Sequence, residues 1–108
     1  MQKNNLGKGS YASRVRNEEM RILYSKPAIQ VIRSLPERQT SKILWDIKGV
    51  LQYPPIGDIR PMPGFSDRRK MLYSHPYYVV YKKANYKGKE VLYVMNVLTE
   101  EDLEYYMN

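Results

Sequence analysis

The sequence predicts an α+β domain: a helical hairpin packed on one face of a small, mainly antiparallel sheet, in the order β-α-α-β-β-β with a short closing helix (α). Three observations predict it. Apolar residues recur with a helical period between Ala28 and Leu51. The period changes to two from about Arg68 onward. The gaps between the later apolar runs are short, which makes those strands antiparallel neighbours. A chain of 108 residues has room for one domain and a small core without covalent staples.

Met20-Arg21-Ile22-Leu23-Tyr24 is a short β-type run. Ser25 and Pro27 then mark a helix start, Ser25 as N-cap and Pro27 in the first turn. The first helix carries Ala28, Ile29, Val31 and Ile32 to about Leu35. Ser34 and Glu37 stand three apart, the spacing of a capping box for the second helix. That helix shows Ile43, Leu44, Ile47, Val50 and Leu51 on one face, with Lys42, Asp46 and Lys48 off it. Trp45 falls beside the stripe and reads as a partly buried core edge. Tyr53-Pro54-Pro55 ends the helix, and Pro54 to Gly64 reads as a connector.

Strands are expected near Arg68–Ser74, Tyr77–Lys83 and Glu90–Leu98, joined at Ser74-His75-Pro76 and across Ala84 to Lys89. In the last of them Val91, Tyr93, Met95 and Val97 fall on one face and Leu92 and Val94 on the other. Thr99 can cap a final short helix, whose Glu100, Glu101 and Asp102 suit the helix dipole. With the hairpin on one face, the other face of the sheet is expected to stay open. Residues 1–18 have no apolar period and carry Lys3, Lys8, Arg14 and Arg16, so they read as a flexible basic arm before a single domain over 19–108.

There is no cysteine, which excludes disulfides and thiolate metal sites and makes the cytoplasm the natural setting. His75 is the single histidine, too little for a histidine metal cluster. No apolar run approaches the roughly 20 residues of a membrane span. No metal, cofactor or membrane is therefore expected. The formal charge of +7 points to a polyanionic partner. The acids Glu100, Glu101, Asp102 and Glu104 gather at the tail, leaving the excess positive charge in the body and the arm.

The segment from Gly57 to Lys89 concentrates that charge. Arg60, Arg68, Lys70, Lys82 and Lys83 are candidate phosphate-binding cations, and Tyr73, Tyr77, Tyr78, Tyr81 and Tyr86 are interleaved with the basic residues. Cations beside stackable rings are what a single-stranded RNA surface needs. A half-buried sheet with tyrosines for packing and lysines for solubility gives the same composition. Tyr77 and Tyr81, on the face opposite Tyr78, read as core.

Pro27-Ala28, Leu35-Pro36-Glu37, GDIRPMPGF (Gly57 to Phe65), Asp67, Leu72, Tyr77, VVYK (Val79 to Lys82) and LYVMNV (Leu92 to Val97) together resemble the RelE/ParE toxin superfamily. The resemblance spans about residues 20–104. It implies the same α+β fold and the toxin half of a type II toxin–antitoxin pair, neutralised by a cognate antitoxin. The RelE branch cleaves mRNA in the ribosomal A site without a metal, and the ParE branch poisons DNA gyrase. The family's first basic strand position matches Arg69, but the next two are Met71 and Tyr73. Its arginine after the hairpin tyrosine is Tyr78, its late arginine is Glu100, and its hairpin glycine is His75. The family's C-terminal tyrosine could be Tyr105 or Tyr106, with Glu104 an equally good match to that position.

Metal-free cleavage through the 2′-hydroxyl needs a proton acceptor, a cation for the phosphorane and an acid for the leaving oxygen. The candidates are Arg69 as phosphate clamp, His75 for proton transfer and Tyr78 for stacking or hydrogen bonding. This set supports a binding surface better than a complete catalytic one. Two functions follow from the resemblance: a RelE-like toxin acting on translation by ribosome-associated mRNA cleavage or binding, or a catalytically degenerate relative acting by protein binding, to an antitoxin or as a gyrase poison.

Overall fold

The structure, a computed structural model, describes residues 21–107, so the arm expected over 1–18 lies outside the described residues. The elements run β1 (Arg21–Tyr24), α1 (Lys26–Ser34), α2 (Glu37–Val50), β2 (Asp58–Pro61), β3 (Lys70–Ser74), β4 (Tyr77–Tyr86), β5 (Lys89–Leu98) and α3 (Glu100–Met107). The strands form one sheet in the order β1-β5-β4-β3-β2, with β1 parallel to β5 and the other pairs antiparallel. The α+β order is as expected, with one strand added.

That strand, β2, lies inside the segment read as connector. Its Ile59 pairs with Leu72 and packs on the core beneath the helices, while Arg60 pairs with Met71. A strand ending in Pro61 belongs at an edge, where a missing donor costs no ladder bond.

Ser25 opens α1 by accepting the Ala28 N–H at 3.1 Å, and its hydroxyl donates to the Met95 carbonyl at 2.6 Å. Ala28 and Ile32 from α1 and Ile43, Ile47 and Val50 from α2 bury against Leu72, Val79, Tyr81, Leu92, Val94 and Val97. Tyr77 packs against the same core. Ser74, fully buried, donates to Asp46 at 2.7 Å and accepts from Lys42 at 3.3 Å, which ties β3 to α2.

Several expectations are corrected. Ser34 caps nothing: it ends α1 and its hydroxyl donates back to the Val31 carbonyl at 2.7 Å, while α2 starts after Pro36 without a side-chain cap. Only Leu35 and Pro36 separate the helices, so Ser34 is still inside the last turn of α1. Trp45 is 76% exposed rather than a core edge. It lies two positions, about 200°, around the helix from both Ile43 and Ile47, which point at the sheet. Val97 does not share a face with Met95. A bulge pairs Tyr81 with Val94 and Val80 with Asn96, leaving Met95 as the extra residue and flipping the alternation beyond it. The loop expected over Ala84 to Lys89 shrinks to Lys87 and Gly88, both at positive φ (52° and 80°), the conformation of a tight hairpin turn.

Finally, the second face of the sheet is not open. Met62, Met71 and Val80 are buried there, with Phe65, Tyr78, Met95, Leu98, Leu103 and Tyr106 packed around them. The connector and α3 supply this third layer. Thr99 caps α3 by accepting the Asp102 N–H at 3.1 Å, as the sequence predicts.

Candidate functional site

The face covered by α3 holds two side-chain clusters. The first is built by the turn entering β3. Asp67 Oδ1 accepts the Arg69 N–H at 3.3 Å and bends the chain, so that Arg68 takes a φ of 60°. A left-handed non-glycine residue costs about 1–2 kcal/mol. The bend turns Arg69 back onto Asp67, with Nε 2.9 Å from Oδ1 and Nη2 2.6 Å from Oδ2. The guanidinium lies 4.2 Å over the Phe65 ring, and Nη1 donates to the Tyr106 hydroxyl. Phe65 and Tyr106 are themselves stacked at 5.8 Å. Lys82 reaches the same carboxylate at 3.3 Å.

Arg69 is only 17% exposed and is fixed on every side. Its hydrogen bonds hold the Asp67 carboxyl well below the usual carboxylate range, partial burial opposing and Lys82 assisting. The Asp67 hydrogen bonds in turn raise Arg69 further above neutrality, so it stays a cation.

The second cluster sits at the other end of β3 and β4. Tyr73 and Tyr78 face each other across the strands with centroids 4.8 Å apart. Arg60 lies 5.2 Å over the Tyr73 ring and is held by both oxygens of Asp58, at 3.1 and 2.8 Å. The Tyr73 hydroxyl and His75 Nδ1 share a hydrogen bond of 2.6 Å. Beside Tyr78 lies an open pocket of about 380 Å³ lined by Glu100, Leu103, Glu104 and Met107. Two carboxylates at that ring oppose a phosphate there and suit a donor-bearing group instead.

Of the residues singled out from sequence, Tyr78 and His75 meet through Tyr73, while Arg69 belongs to the first cluster. Lys82 joins Arg69 through Asp67. Arg60 joins the tyrosines. Arg68, Lys70 and Lys83 line a groove on the helical side. Asp67, Phe65 and Tyr73 complete the clusters and were not singled out as site residues, and of the two C-terminal tyrosines it is Tyr106 that joins them. Tyr106 was legible: it stands three residues after Leu103, on the same face of α3, whereas Tyr105 points away and is 83% exposed. Among the described residues no group of three or more His, Cys, Asp or Glu is placed to hold a metal ion. None of the described helices is long and apolar enough to cross a membrane.

No family profile and no curated protein matches the sequence significantly. Among solved structures the chain is similar to the archaeal RelE–RelB complex from Pyrococcus horikoshii OT3, with a TM-score of 0.56 and 19% identity over 74% of this chain and 93% of that one. The class that this architecture defines is thus the RelE-like fold. The chain has that fold, as the motifs from Pro27 to Val97 led one to expect.

Proposed function

We propose that this protein is the toxin of a toxin–antitoxin pair, acts on translation by engaging mRNA on the α3-covered face, and is neutralised by a cognate antitoxin. The observation that carries this reading is the Arg69 cluster: a fixed guanidinium with a phenol hydroxyl against it, brought together from 37 residues apart. An arginine can stabilise a negatively charged phosphorane, and an adjacent phenol can move a proton to or from it. Tyr106 therefore joins Arg69 as a candidate for the chemistry, with Tyr78 and Tyr73 as rings for an unpaired base. His75 is bound to the Tyr73 hydroxyl, which suits a role in holding that ring. The similarity to a protein solved as a RelE–RelB complex supports an antitoxin partner.

The test is inducible expression without the neighbouring gene product, with mRNA ends mapped in translating extracts. Growth arrest with codon-phased cuts is expected. Arg69→Ala and Tyr106→Phe should each abolish the cuts, and His75→Ala should leave them. Arrest without cuts would move the function to binding alone.

That second reading has its own support. On this face Arg60, Arg69 and Lys82 are all paired to Asp58 or Asp67, and Glu100 and Glu104 flank Tyr78. A face with its cations neutralised is suited to a protein partner. Inhibition of DNA gyrase supercoiling by the purified chain, with no mRNA cuts, is the result that selects it.

A further inference from the structure

The helical side of the sheet carries a second feature that the Arg69 face does not use. α2 stops at Val50 and the chain continues without helix through Leu51 to Pro55, so the strand ends beyond it have no helix over them. The region beyond it is a groove of about 540 Å³, with the edges of the buried Tyr81 and Leu92 at its base and Val50, Leu51, Tyr53 and Pro55 along one wall. Alternation along β3 and β4 brings Lys70 and Lys83 onto this side, with Tyr81 between them in register with Lys70. The left-handed turn at Arg68 puts a third cation on the rim.

Arg68, Lys70 and Lys83 are exposed and take part in no ion pair among the described residues, whereas Arg60, Arg69 and Lys82 are all paired. Of the acids in the lining, Asp67 is committed to Arg69 and Lys82, leaving Glu90. The groove therefore keeps unspent positive charge beside the ring of Tyr53, which lines it and is 74% exposed, above a floor of buried core side chains. Cations for phosphates beside an aromatic surface for a base fit a single strand of nucleic acid. The Asp67–Arg69 turn lies between this groove and the opposite face, so one strand crossing the end of β3 can reach both.

We propose that this groove binds the backbone of single-stranded RNA through Arg68, Lys70 and Lys83, as a second contact continuous with the Arg69 cluster. It rests on the preceding reading only in taking RNA as the polyanion. A single-stranded polymer is favoured over an acidic peptide because the groove offers the exposed ring of Tyr53 to a base as well as charge to phosphates.

The test is fluorescence anisotropy of the purified chain with a labelled, unstructured RNA 12-mer (a length of about one single-strand binding site) across a range of salt concentrations. The combined variant Arg68→Gln, Lys70→Gln, Lys83→Gln is compared with Lys26→Gln, Arg33→Gln, Arg38→Gln, which removes equal charge from the exposed helical surface. Three lost phosphate contacts should flatten the slope of log K against log salt by about 2 for the groove variant. The helix variant should stay within one contact, about 0.7, of wild type. A second groove variant with Arg68→Gly suits the turn's φ and keeps the test valid if the first one unfolds. Equal flattening in both sets, no flattening in the groove set, or competition by polyglutamate as strong as by RNA would overturn the proposal. Because binding is read without ribosomes, its failure is separate from failure of the toxin reading, which growth arrest and Arg69→Ala report.

Discussion

Asp67 holds three donors at once: the Arg69 guanidinium, the Arg69 amide and the Lys82 ammonium. Its carboxyl lies below its ordinary value of 3.8 in the folded chain. The folded state therefore binds fewer protons than the unfolded one in acid. The stabilisation is complete above about pH 4 and is lost as the pH falls through the lowered native value. The stability difference between wild type and Asp67→Asn, measured by urea unfolding, should shrink steadily below about pH 4; a gap constant down to pH 2 would remove Asp67 from this role. At Arg68 the φ of 60° predicts that Arg68→Gly stabilises the fold by about 1 kcal/mol while removing a groove cation. Trp45 gives a third expectation. As the single tryptophan, 76% exposed, it should emit as in water and be readily quenched by iodide in the native protein. A shielded, blue-shifted emission would mean that this helix face is covered.

Among the elements, β5 shows how a local device sets a whole strand. The bulge at Met95 lets Val94 and Val97 both enter the core under the helices while Met95 and Leu98 pack on the other face. The Met95 carbonyl is satisfied by the Ser25 hydroxyl, which also caps α1. One serine thus joins a helix start to a strand irregularity 70 residues away. Ser25→Ala should cost about 2 kcal/mol in urea unfolding, above the typical cap loss of about 1, because a partly buried carbonyl is orphaned as well. A loss well below 1 kcal/mol would show that water replaces the hydroxyl. The second-helix start shows the opposite case: Ser34 and Glu37 have the spacing of a capping box, yet the two-residue connection leaves no room for Ser34 to stand outside α1.

For the whole molecule, the decisive feature is the third layer. α3 lays Leu103 and Tyr106 on Met62, Met71 and Val80, and in doing so closes the Arg69 cluster. A chain ended after Thr99 should expose this apolar face, bind a hydrophobic dye and unfold at lower urea. A truncated chain that stays dye-silent and as stable as wild type would show that α3 contributes little to the layer. On the α3 side of the sheet Arg60, Arg69 and Lys82 are paired, whereas Arg68, Lys70 and Lys83 on the groove side take part in no ion pair among the described residues.

The sequence by itself determined the α+β order, the helical core stripe, the three consecutive antiparallel strands, the caps at Ser25 and Thr99, and the inward placement of Tyr77 and Tyr81, because these rest on period and turn chemistry within a few residues. It also carried the resemblance that the RelE-like fold bears out. Only the tertiary structure decided that Pro54 to Gly64 contains an edge strand, that Met95 is bulged, that the second face is covered and that Tyr106 meets Arg69. Each of these depends on which distant backbone or side chain satisfies a group, a choice made by packing across the sheet rather than by the neighbours in the chain.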